Sequence, residues 1–582
     1  MTASIAAPEP WLEIIEGGSP FLLIAPHGGR AGKAAQATLH PKVNDLHTAE
    51  ITRELAARLD ASALINSAMD RNLIDCNRIP QLAERAPWVL EIIAQHLAVM
   101  VERFGRATVL LVHGWNIIEP RVDFGLGVRT YGRELRPAGS ARVSASDDFI
   151  NGPLLSLARN LRAAGITPTF GLRYPAGGIH NLVQAFTERH RESPLTPLSR
   201  ISAIAAQGLV DAVQLELSVS VRLLGPPRQR CVEAIADTFS GQPQATAPSD
   251  SNLSVVRTPL ASRRVSTTAP VRVGMEFFDA ASGIGAMASF DLGTPGFGAR
   301  IMMVLGERRV ILCTCEGTTR RDADRLSLGP LSLVIRGSSL VLEFAGTAVV
   351  VPDGSTYLSI ERALATGILD PHARVTLQLP LSGDGLDPSA LFGHGAFDSA
   401  ARNIPPVFSI ATGEATLEGR RYSLRASTRA GVSFTGLGSQ KFNERRMIWA
   451  LFHGDDQAPD AIELRRVDGD SEQQIARLFS DGKWSTLTLS SLAIEAGAPE
   501  LMPHRLEATV AASAGDSFNL LGTPVAFVPL SRPGLNGSRI YTSLGFGTFK
   551  LGTRSASGMF EYSRRVEPAS ANDGDGGDSD SD

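Results

Sequence analysis

A chain of 582 residues is too long for a single hydrophobic core, so its length predicts two or three domains. Hydrophobic residues make up 43% of it, charged residues 20%, and the net charge is −4, which is typical of a globular protein and not of one that binds nucleic acid or anionic membranes. We expect no secretory signal and no membrane span, because no basic start precedes an apolar run and no stretch of about 18 apolar residues occurs. The 4 cysteines are too few for a disulfide framework, so we expect a cytoplasmic protein.

Residues 1–240 alternate short apolar runs with helical patterns. The predicted strands are 21–25, 62–66, 107–115 and 209–218. Between the first two, residues 45–61 place Leu46, Ile51, Leu55 and Leu59 at helical spacing. Strands that alternate with helices predict an α/β domain with a mainly parallel sheet and flanking helices. Ligands of such sheets bind beyond the carboxyl ends of the strands.

The chain changes character after residue 240. Residues 241–270 are rich in Ser, Thr and Pro, which predicts a linker. Residues 271–566 form short alternating runs separated by turn residues, which predicts an antiparallel barrel or sandwich long enough for two units. Residues 567–582 are acidic and are expected to be disordered. The predicted fold class is therefore multidomain, α/β followed by all-β.

Two histidines follow predicted strands of the first domain. His27 comes after the run at 21–25 and is followed by two glycines, whereas His113 lies near the end of 107–115. In a parallel sheet both imidazoles would lie at the same edge. Because imidazole is the commonest protein ligand of zinc, this pair predicts a metal site, although a hydrogen-bonded structural role is open for each histidine.

A catalytic zinc also needs a third ligand and an open position. Asp45, at the entry of the predicted helix, is our candidate. The alternatives are that Asp45 only caps that helix, or that His47 or Glu50 supplies the third ligand.

Other polar residues are expected near this edge. Residues 67–78 group Arg71, Asp75, Asn77 and Arg78 around an apolar pair, and guanidinium groups suit the binding of a carboxylate. The alternative is that Asp75 forms a structural ion pair with an arginine. Glu216 lies in an apolar strand, where a carboxylate is costly unless it is paired or used.

Together these segments resemble the N-formylglutamate amidohydrolase family over about residues 10–240. The segments that carry the resemblance are, in order, PHGG, NDLHTAEITRELAARLDA, RNLIDCNR, LLVHGWN, VDFGLG, YPAGGIHN and VQLELS. The resemblance implies a phosphorylase/hydrolase-like fold related to zinc carboxypeptidases, and metal-assisted cleavage of an amide bond. The expected substrate is an N-formyl or N-acyl amino acid-like small molecule that bears a carboxylate.

The resemblance also implies roles for individual residues. His27, Asp45 and His113 would hold a zinc ion, Glu216 would be the general base, and His180 would contact the developing oxyanion. The substrate would be bound by Arg71, Asn77 and Arg78. The sequence departs from related deacylases at Arg30, where they often carry a glutamate, so the metal carboxylate must come from elsewhere, and Asp45 is the residue we infer for it.

Residues 271–566 resemble, more faintly, the tandem lipocalin-like domains of the hydroxyneurosporene synthase and carotenoid hydratase group. The segments concerned are 393–406, 413–427 and 557–566, and their candidate polar groups are His394, Asp398, Arg420 and Glu561. This region is expected to bind an apolar ligand or a partner. Two alternatives stay open: a binding or assembly protein with a degenerate hydrolase domain, and an enzyme whose active site lies in the β-rich half.

Overall fold

The computed structural model describes most of the chain. The described residues are 10–30, 42–241, 254–256, 271–292, 298–306, 308–381, 406–434, 442–452, 460–469, 473–480, 483–497, 502–512, 517–533 and 538–567. Most of the predicted linker and nearly all of the predicted acidic tail therefore lie outside them. The described part confirms an α/β unit followed by a β-rich region.

A seven-stranded sheet organises the first unit. Its strands are β1 (Leu12–Ile15), β2 (Phe21–Ala25), β3 (Ser62–Asn66), β4 (Ala107–Trp115), β5 (Arg121–Gly125), β8 (Thr167–Phe170) and β9 (Val210–Ser218), in the order β1-β3-β2-β4-β9-β5-β8. Neighbours among β3, β2, β4 and β9 pair in parallel. In contrast, β1 pairs antiparallel with β3, and β5 pairs antiparallel with β9. The predicted mainly parallel sheet is thus confirmed. Strands β3 and β9 are buried along their whole length, as two covered faces require.

Helices cover both faces of this sheet. They are α1 (Thr48–Leu59), α2 (Ile79–Arg85), α3 (Pro87–Phe104), α4 (Asp147–Phe149), α5 (Leu155–Ala163), α6 (Thr196–Ala205), α7 (Val219–Arg222) and α8 (Pro226–Phe239). A π-helical turn (Ile150–Leu154) joins α4 to α5, and 3-10 turns span Leu182–Phe186 and Glu188–His190. A small sheet combines β6 (Val128–Tyr131) and β7 (Glu134–Pro137) with β10 (Ser254–Val255). The structure describes no helix that is both long and apolar enough to cross a membrane.

An eight-stranded barrel begins the β-rich region. Its strands are β11 (Val271–Asp279), β12 (Ile284–Leu292), β13 (Gly298–Leu305), β14 (Arg309–Glu316), β18 (Ser339–Val351), β19 (Ile368–Pro380), β20 (Val407–Leu417) and β21 (Arg420–Phe434). Pairing of β14 with β18 closes the barrel. β15 (Arg320–Arg321), β16 (Arg325–Leu328) and β17 (Leu331–Arg336) extend its sheet, and a 3-10 turn (Gly354–Leu358) with α9 (Ile360–Ala365) follows β18.

A nine-stranded antiparallel sheet forms the last unit. Its strands are β22 (Phe442–Phe452), β23 (Ala461–Gly469), β24 (Gln473–Ser480), β25 (Lys483–Thr486), β26 (Thr488–Gly497), β27 (Met502–Ala511), β28 (Ser517–Pro533), β29 (Arg539–Leu551) and β30 (Arg554–Val566). Antiparallel pairing throughout both β units confirms the predicted antiparallel β region, and the first of the two units is a barrel. A closer lipocalin-like assignment stays a prediction.

The barrel packs on the α/β unit beside the carboxyl ends of its strands. Leu46, Ile118 and Val219 belong to the same apolar cluster as the barrel core. The backbone N–H groups of Ile118 and Glu119 both donate to the carbonyl oxygen of Thr314 in β14, each at 3.1 Å. The β-rich region therefore borders the sheet edge at which the sequence predicts the functional site.

Candidate metal centre

The two predicted histidines meet at the carboxyl edge of the first sheet. β2 and β4 are parallel neighbours, and His27 follows the end of β2 while His113 lies near the end of β4. Their ring centroids are 4.8 Å apart, and each residue is only 2% exposed. The turn after His27 requires glycine, because a Cβ atom at Gly29 would lie 2.0 Å from the carbonyl oxygen of Met69.

Asp45 lies between these histidines. Its Oδ2 atom is 3.1 Å from Nδ1 of His27 and 3.3 Å from Nδ1 of His113, and it accepts the backbone N–H of Gly114 at 2.9 Å. The alternative in which Asp45 caps the helix is wrong, because α1 begins at Thr48 with His47 as its N-cap. His47 adopts the left-handed conformation (φ 68°), and this is why the predicted helix over 45–61 begins late.

The three residues fit a metal ion. One ligand atom from each of His27, Asp45 and His113 lies within 4.8 Å of the others, and all three residues are buried. Nε2 of His113 has no hydrogen-bond partner among the described residues, although it is buried. Two imidazoles and a carboxylate are a donor set that suits zinc. Glu50, one rival ligand, instead lies 3.7 Å from Arg30.

Asp75 makes a contact with His27 that the sequence did not reveal. Its Oδ1 atom lies 2.7 Å from Nε2 of His27, so the two nitrogens of this imidazole face two different carboxylates. Its Oδ2 atom is 2.8 Å from Nζ of Lys42. Burial alone would raise the pKa of Asp75, but His27, Arg71 and Lys42 hold it well below its usual range. A carboxylate in this place fixes the orientation of the imidazole.

Asp45 is likewise kept ionised. Burial would raise its pKa, but His27, His113 and Arg71 hold that pKa well below the usual value. Nη1 of Arg71 donates to Asp45 Oδ1 at 3.3 Å and to the carbonyl of Val43 at 2.8 Å. The cluster is therefore an anionic ligand set balanced by one guanidinium group.

Glu216 lies directly beside His113. The parallel pairing of β4 with β9 places the two residues opposite each other, and Glu216 is buried. Gln214 donates its Nε2 hydrogen to Glu216 Oε1 at 2.5 Å. Burial, together with the charges of Asp45 and Asp123, raises the pKa of Glu216 well above its ordinary value. A carboxyl group of this kind can hold and release a proton nearer neutral pH.

The other predicted residues lie at different distances from this cluster. Arg78 is half-exposed, with Nε 3.8 Å from Asp75 Oδ2. Asn77 is buried, and its Oδ1 has no hydrogen-bond partner among the described residues. His180 lies on an exposed turn, where its carbonyl accepts the N–H of Ile79. Its expected contact with an oxyanion stays a prediction.

Arg222 is a buried cation that the sequence analysis missed. It donates to the carbonyls of Leu46, Leu217 and Trp115 and to Oδ1 of Asn116. A Cβ atom at Gly114 would lie 2.8 Å from its Cζ atom, so glycine is needed there. The only sequence signal is a cation inside the apolar segment 219–224.

Two of the four candidate polar groups of the β-rich region lie among the described residues. Arg420 is exposed at the start of β21, and Glu561 in β30 lies 3.3 Å from Nε of Arg445. His394 and Asp398 lie outside the described residues. No contact between Arg420 and Glu561 is found among the described residues.

We expect His113 to make the metal-free protein sensitive to acid. Burial, with His27 and Arg71 nearby, lowers the pKa of His113 from 6.5 to about 4, although Asp45 opposes the shift. Between these pH values the unfolded chain binds the extra proton. His113 therefore stabilises the fold above pH 6.5, and about 3 kcal/mol is lost as the pH falls through 4.

Thermal melting of chelator-treated protein checks this expectation. From about pH 7 to about pH 4.5, the melting temperature of the wild type should fall more steeply than that of His113→Gln, which has no titrating group at this position. Equal slopes for the two proteins would contradict the assigned environment of His113.

Comparisons with known proteins found only distant structural similarity. No protein-family model matches the chain, and the search of curated proteins gave no match. Among solved structures, an N-formylglutamate amidohydrolase from Ralstonia eutropha JMP134 is similar, with 12% identity, 39% of this chain and 94% of that chain covered, and a TM-score of 0.25. A kievitone hydratase from Nectria haematococca is 8% identical over 51% of this chain and 90% of its own, with a TM-score of 0.25. CghA with Sch210972 is 11% identical over 52% of this chain and 89% of its own, with a TM-score of 0.29.

Proposed function

We propose that the α/β unit is a zinc-dependent amidohydrolase that cleaves the amide bond of an N-formyl or N-acyl amino acid-like small molecule. The observation that carries this proposal is the convergence of His27, Asp45 and His113, with Glu216 opposite His113 on the next strand. The side chains come from four separate segments of the chain. A stable core would not need them to meet at the ligand-binding edge of the sheet.

His27, Asp45 and His113 would hold the zinc ion. When bound there, zinc would polarise an amide carbonyl and make a water molecule nucleophilic near neutral pH. The protein supplies a dry and oriented setting, because the two histidines and Asp45 are buried. Asp75 and Gly114 hold His27 and Asp45 in place through hydrogen bonds at 2.7 and 2.9 Å.

Glu216 would move the proton. Its Oε1 atom accepts the amide of Gln214, so Oε2 is the oxygen assigned to take a proton from water and to give it to the leaving nitrogen. The Gln214 amide is itself oriented, because its Oε1 atom accepts a hydrogen from Nδ2 of Asn181 at 3.2 Å. These two hydrogen bonds keep the carboxyl group in one position while its protonation changes.

The substrate carboxylate would be bound by Arg78, with Lys42 beside it. Both cations face Asp75 and are about half-exposed, so each can reach an incoming anion. Arg71 is committed to Asp45 and Val43 and would mainly keep Asp45 ionised. Arg78→Met should therefore raise KM about tenfold for a carboxylate-bearing substrate and leave the zinc content unchanged. Arg85→Met, which removes an exposed cation bound to the carbonyl of Leu73, is the control and should change neither.

Metal analysis and a substrate screen test the proposal. The purified full chain should carry about one zinc per molecule and should hydrolyse members of a panel of N-formyl and N-acetyl amino acids. Treatment with a chelator should abolish the activity, and zinc should restore it. A protein that binds no stoichiometric metal and cleaves no member of the panel would refute the proposed function.

One observation favours a second candidate function, that of a binding or assembly protein. Both ring nitrogens of His27 already face carboxylates, at 3.1 and 2.7 Å, so the imidazole is satisfied without an ion. In that case the protein would carry no stoichiometric metal, and His27→Ala would leave the fold unaltered. For either candidate we assign the β-rich region to the binding of an apolar ligand or a partner. The described cysteines are all free thiols, which fits the proposed cytoplasmic location.

A further inference from the structure

One carboxylate of the barrel contacts the α/β unit near the candidate metal centre. Glu316 is the last residue of β14, and its Oε2 atom accepts the indole N–H of Trp115 at 2.9 Å. Its Oε1 atom lies 3.6 Å from Nε of Arg173. Its backbone carbonyl accepts Nη1 of Arg121 at 2.7 Å. Three residues of the α/β unit thus hold one residue of the barrel.

Trp115 connects this contact to the metal centre. It lies two residues after His113 in β4, so the two side chains project from the same face of the strand. Its ring meets that of Tyr174 edge-on, with centroids 5.9 Å apart. Burial, together with the carboxylates of Glu216 and Glu316, raises the pKa of Tyr174 to about 12. Tyr174 therefore lies near both carboxylates and stays protonated.

The segment that carries Tyr174 is held from both units. On the α/β side, Asp123 accepts the backbone N–H groups of Leu172, Arg173 and Tyr174 at 2.9 to 3.0 Å. On the barrel side, Glu316 faces the guanidinium group of Arg173 and the indole that packs on Tyr174. Asp123 fixes the backbone of this segment, whereas Glu316 is placed to fix its side chains.

We propose that the barrel completes the substrate site of the α/β unit, and that Glu316 is the positioning residue that holds Trp115 and the Arg173–Tyr174 pair beside the metal centre. This inference rests on the proposed function. It implies that the substrate extends from the metal centre towards the barrel and contacts the Trp115 and Tyr174 side chains. The α/β unit without the barrel would then lack one side of its site.

Truncation of Glu316 should affect substrate binding more than the chemical step. In the full zinc-loaded chain, Glu316→Ala should raise KM about tenfold for the N-acyl amino acid found in the screen, and kcat should stay within about threefold, because Glu316 does not touch the reacting atoms. Glu316→Gln keeps an acceptor for the indole but loses the charge that faces Arg173, so its KM should lie between those of the wild type and Glu316→Ala.

Thr314→Val is the matched control. Thr314 lies in the same strand as Glu316 and at the same interface, but its hydroxyl accepts the backbone N–H of Ile118 at 3.1 Å. The control should lose this interface hydrogen bond without changing KM. If Thr314→Val raised KM as much as Glu316→Ala does, general docking of the barrel would explain the effect and the proposal would be overturned.

The indole signal of Trp115 gives a second measurement that does not depend on activity. In ¹⁵N-labelled protein, with the signal assigned by Trp115→Phe, Glu316→Ala should shift the Trp115 indole resonance and Thr314→Val should not. Addition of Zn²⁺ to the wild type should also shift it. If Glu316→Ala changes neither the indole signal nor KM, the proposal is overturned. A wild type that neither binds Zn²⁺ nor cleaves the panel refutes the proposed function, and this inference fails with it, even if Glu316→Ala shifts the indole.

Discussion

Replacement of His113 by alanine should remove bound zinc and abolish amide hydrolysis. His113 provides one of three converging ligands, and its Nε2 atom has no other hydrogen-bond partner among the described residues. Loss of a residue that only orients a ligand already costs about 10–100-fold in metal affinity, so loss of a ligand should cost at least about 100-fold. Zinc quantification after dialysis, together with hydrolysis of the active N-acyl amino acid, measures both effects.

His96→Ala is the control for this experiment. His96 belongs to the same unit, but it lies in α3, where Nδ1 bonds the carbonyl of Ile92. The control should retain zinc and activity, and circular dichroism should show that both variants fold. Equal zinc contents in the wild type and His113→Ala would show that the metal site is wrongly assigned.

The strands that hold the site could be read from the sequence almost residue by residue. The ranges predicted at 21–25, 62–66 and 107–115 coincide with β2, β3 and β4, because fully buried parallel strands are short continuous apolar runs. Parallel pairing then fixes which ends of these strands share an edge. The meeting of His27 with His113 therefore followed from local patterns and one rule of topology.

Contacts made by loops and between units could not be read in this way. Asp75 reaches His27 from 48 residues away, and Glu316 reaches Trp115 from 201 residues away. A local hydrophobic pattern carries no information about contacts between residues so far apart in the sequence. The choice of the third ligand could not be read from the sequence either, because Asp45, His47 and Glu50 all lie within one short segment. Only the left-handed conformation of His47 separates Asp45 from the helix that follows.

The β-rich region shows how far alternation alone can reach. Alternating runs predicted antiparallel strands, and every pairing within the described strands of the barrel and of the last sheet is antiparallel. Closure of the barrel depends on the pairing of Val310–Leu312 with Val349–Val351, which no alternation pattern encodes. A barrel and an open sheet of the same strands have the same local sequence signature.

Replacement of Glu216 by glutamine should lower kcat about 10²–10⁴-fold, with zinc content and KM close to those of the wild type, because a general base contributes that much to a proton transfer. Glutamine keeps the volume of the side chain and an oxygen that can accept the amide of Gln214, so the sheet should stay intact. The wild-type rate should rise with pH through the raised pKa of Glu216, and this limb of the pH profile should disappear in the variant.

Asp211→Asn is the matched control for Glu216→Gln. It alters a buried carboxylate of the same strand at the opposite edge of the sheet, where Arg106 binds it at 2.7 Å, and it should leave kcat unchanged. A Glu216→Gln variant with wild-type kcat would exclude Glu216 as the base, since no proton acceptor would remain at its position opposite His113.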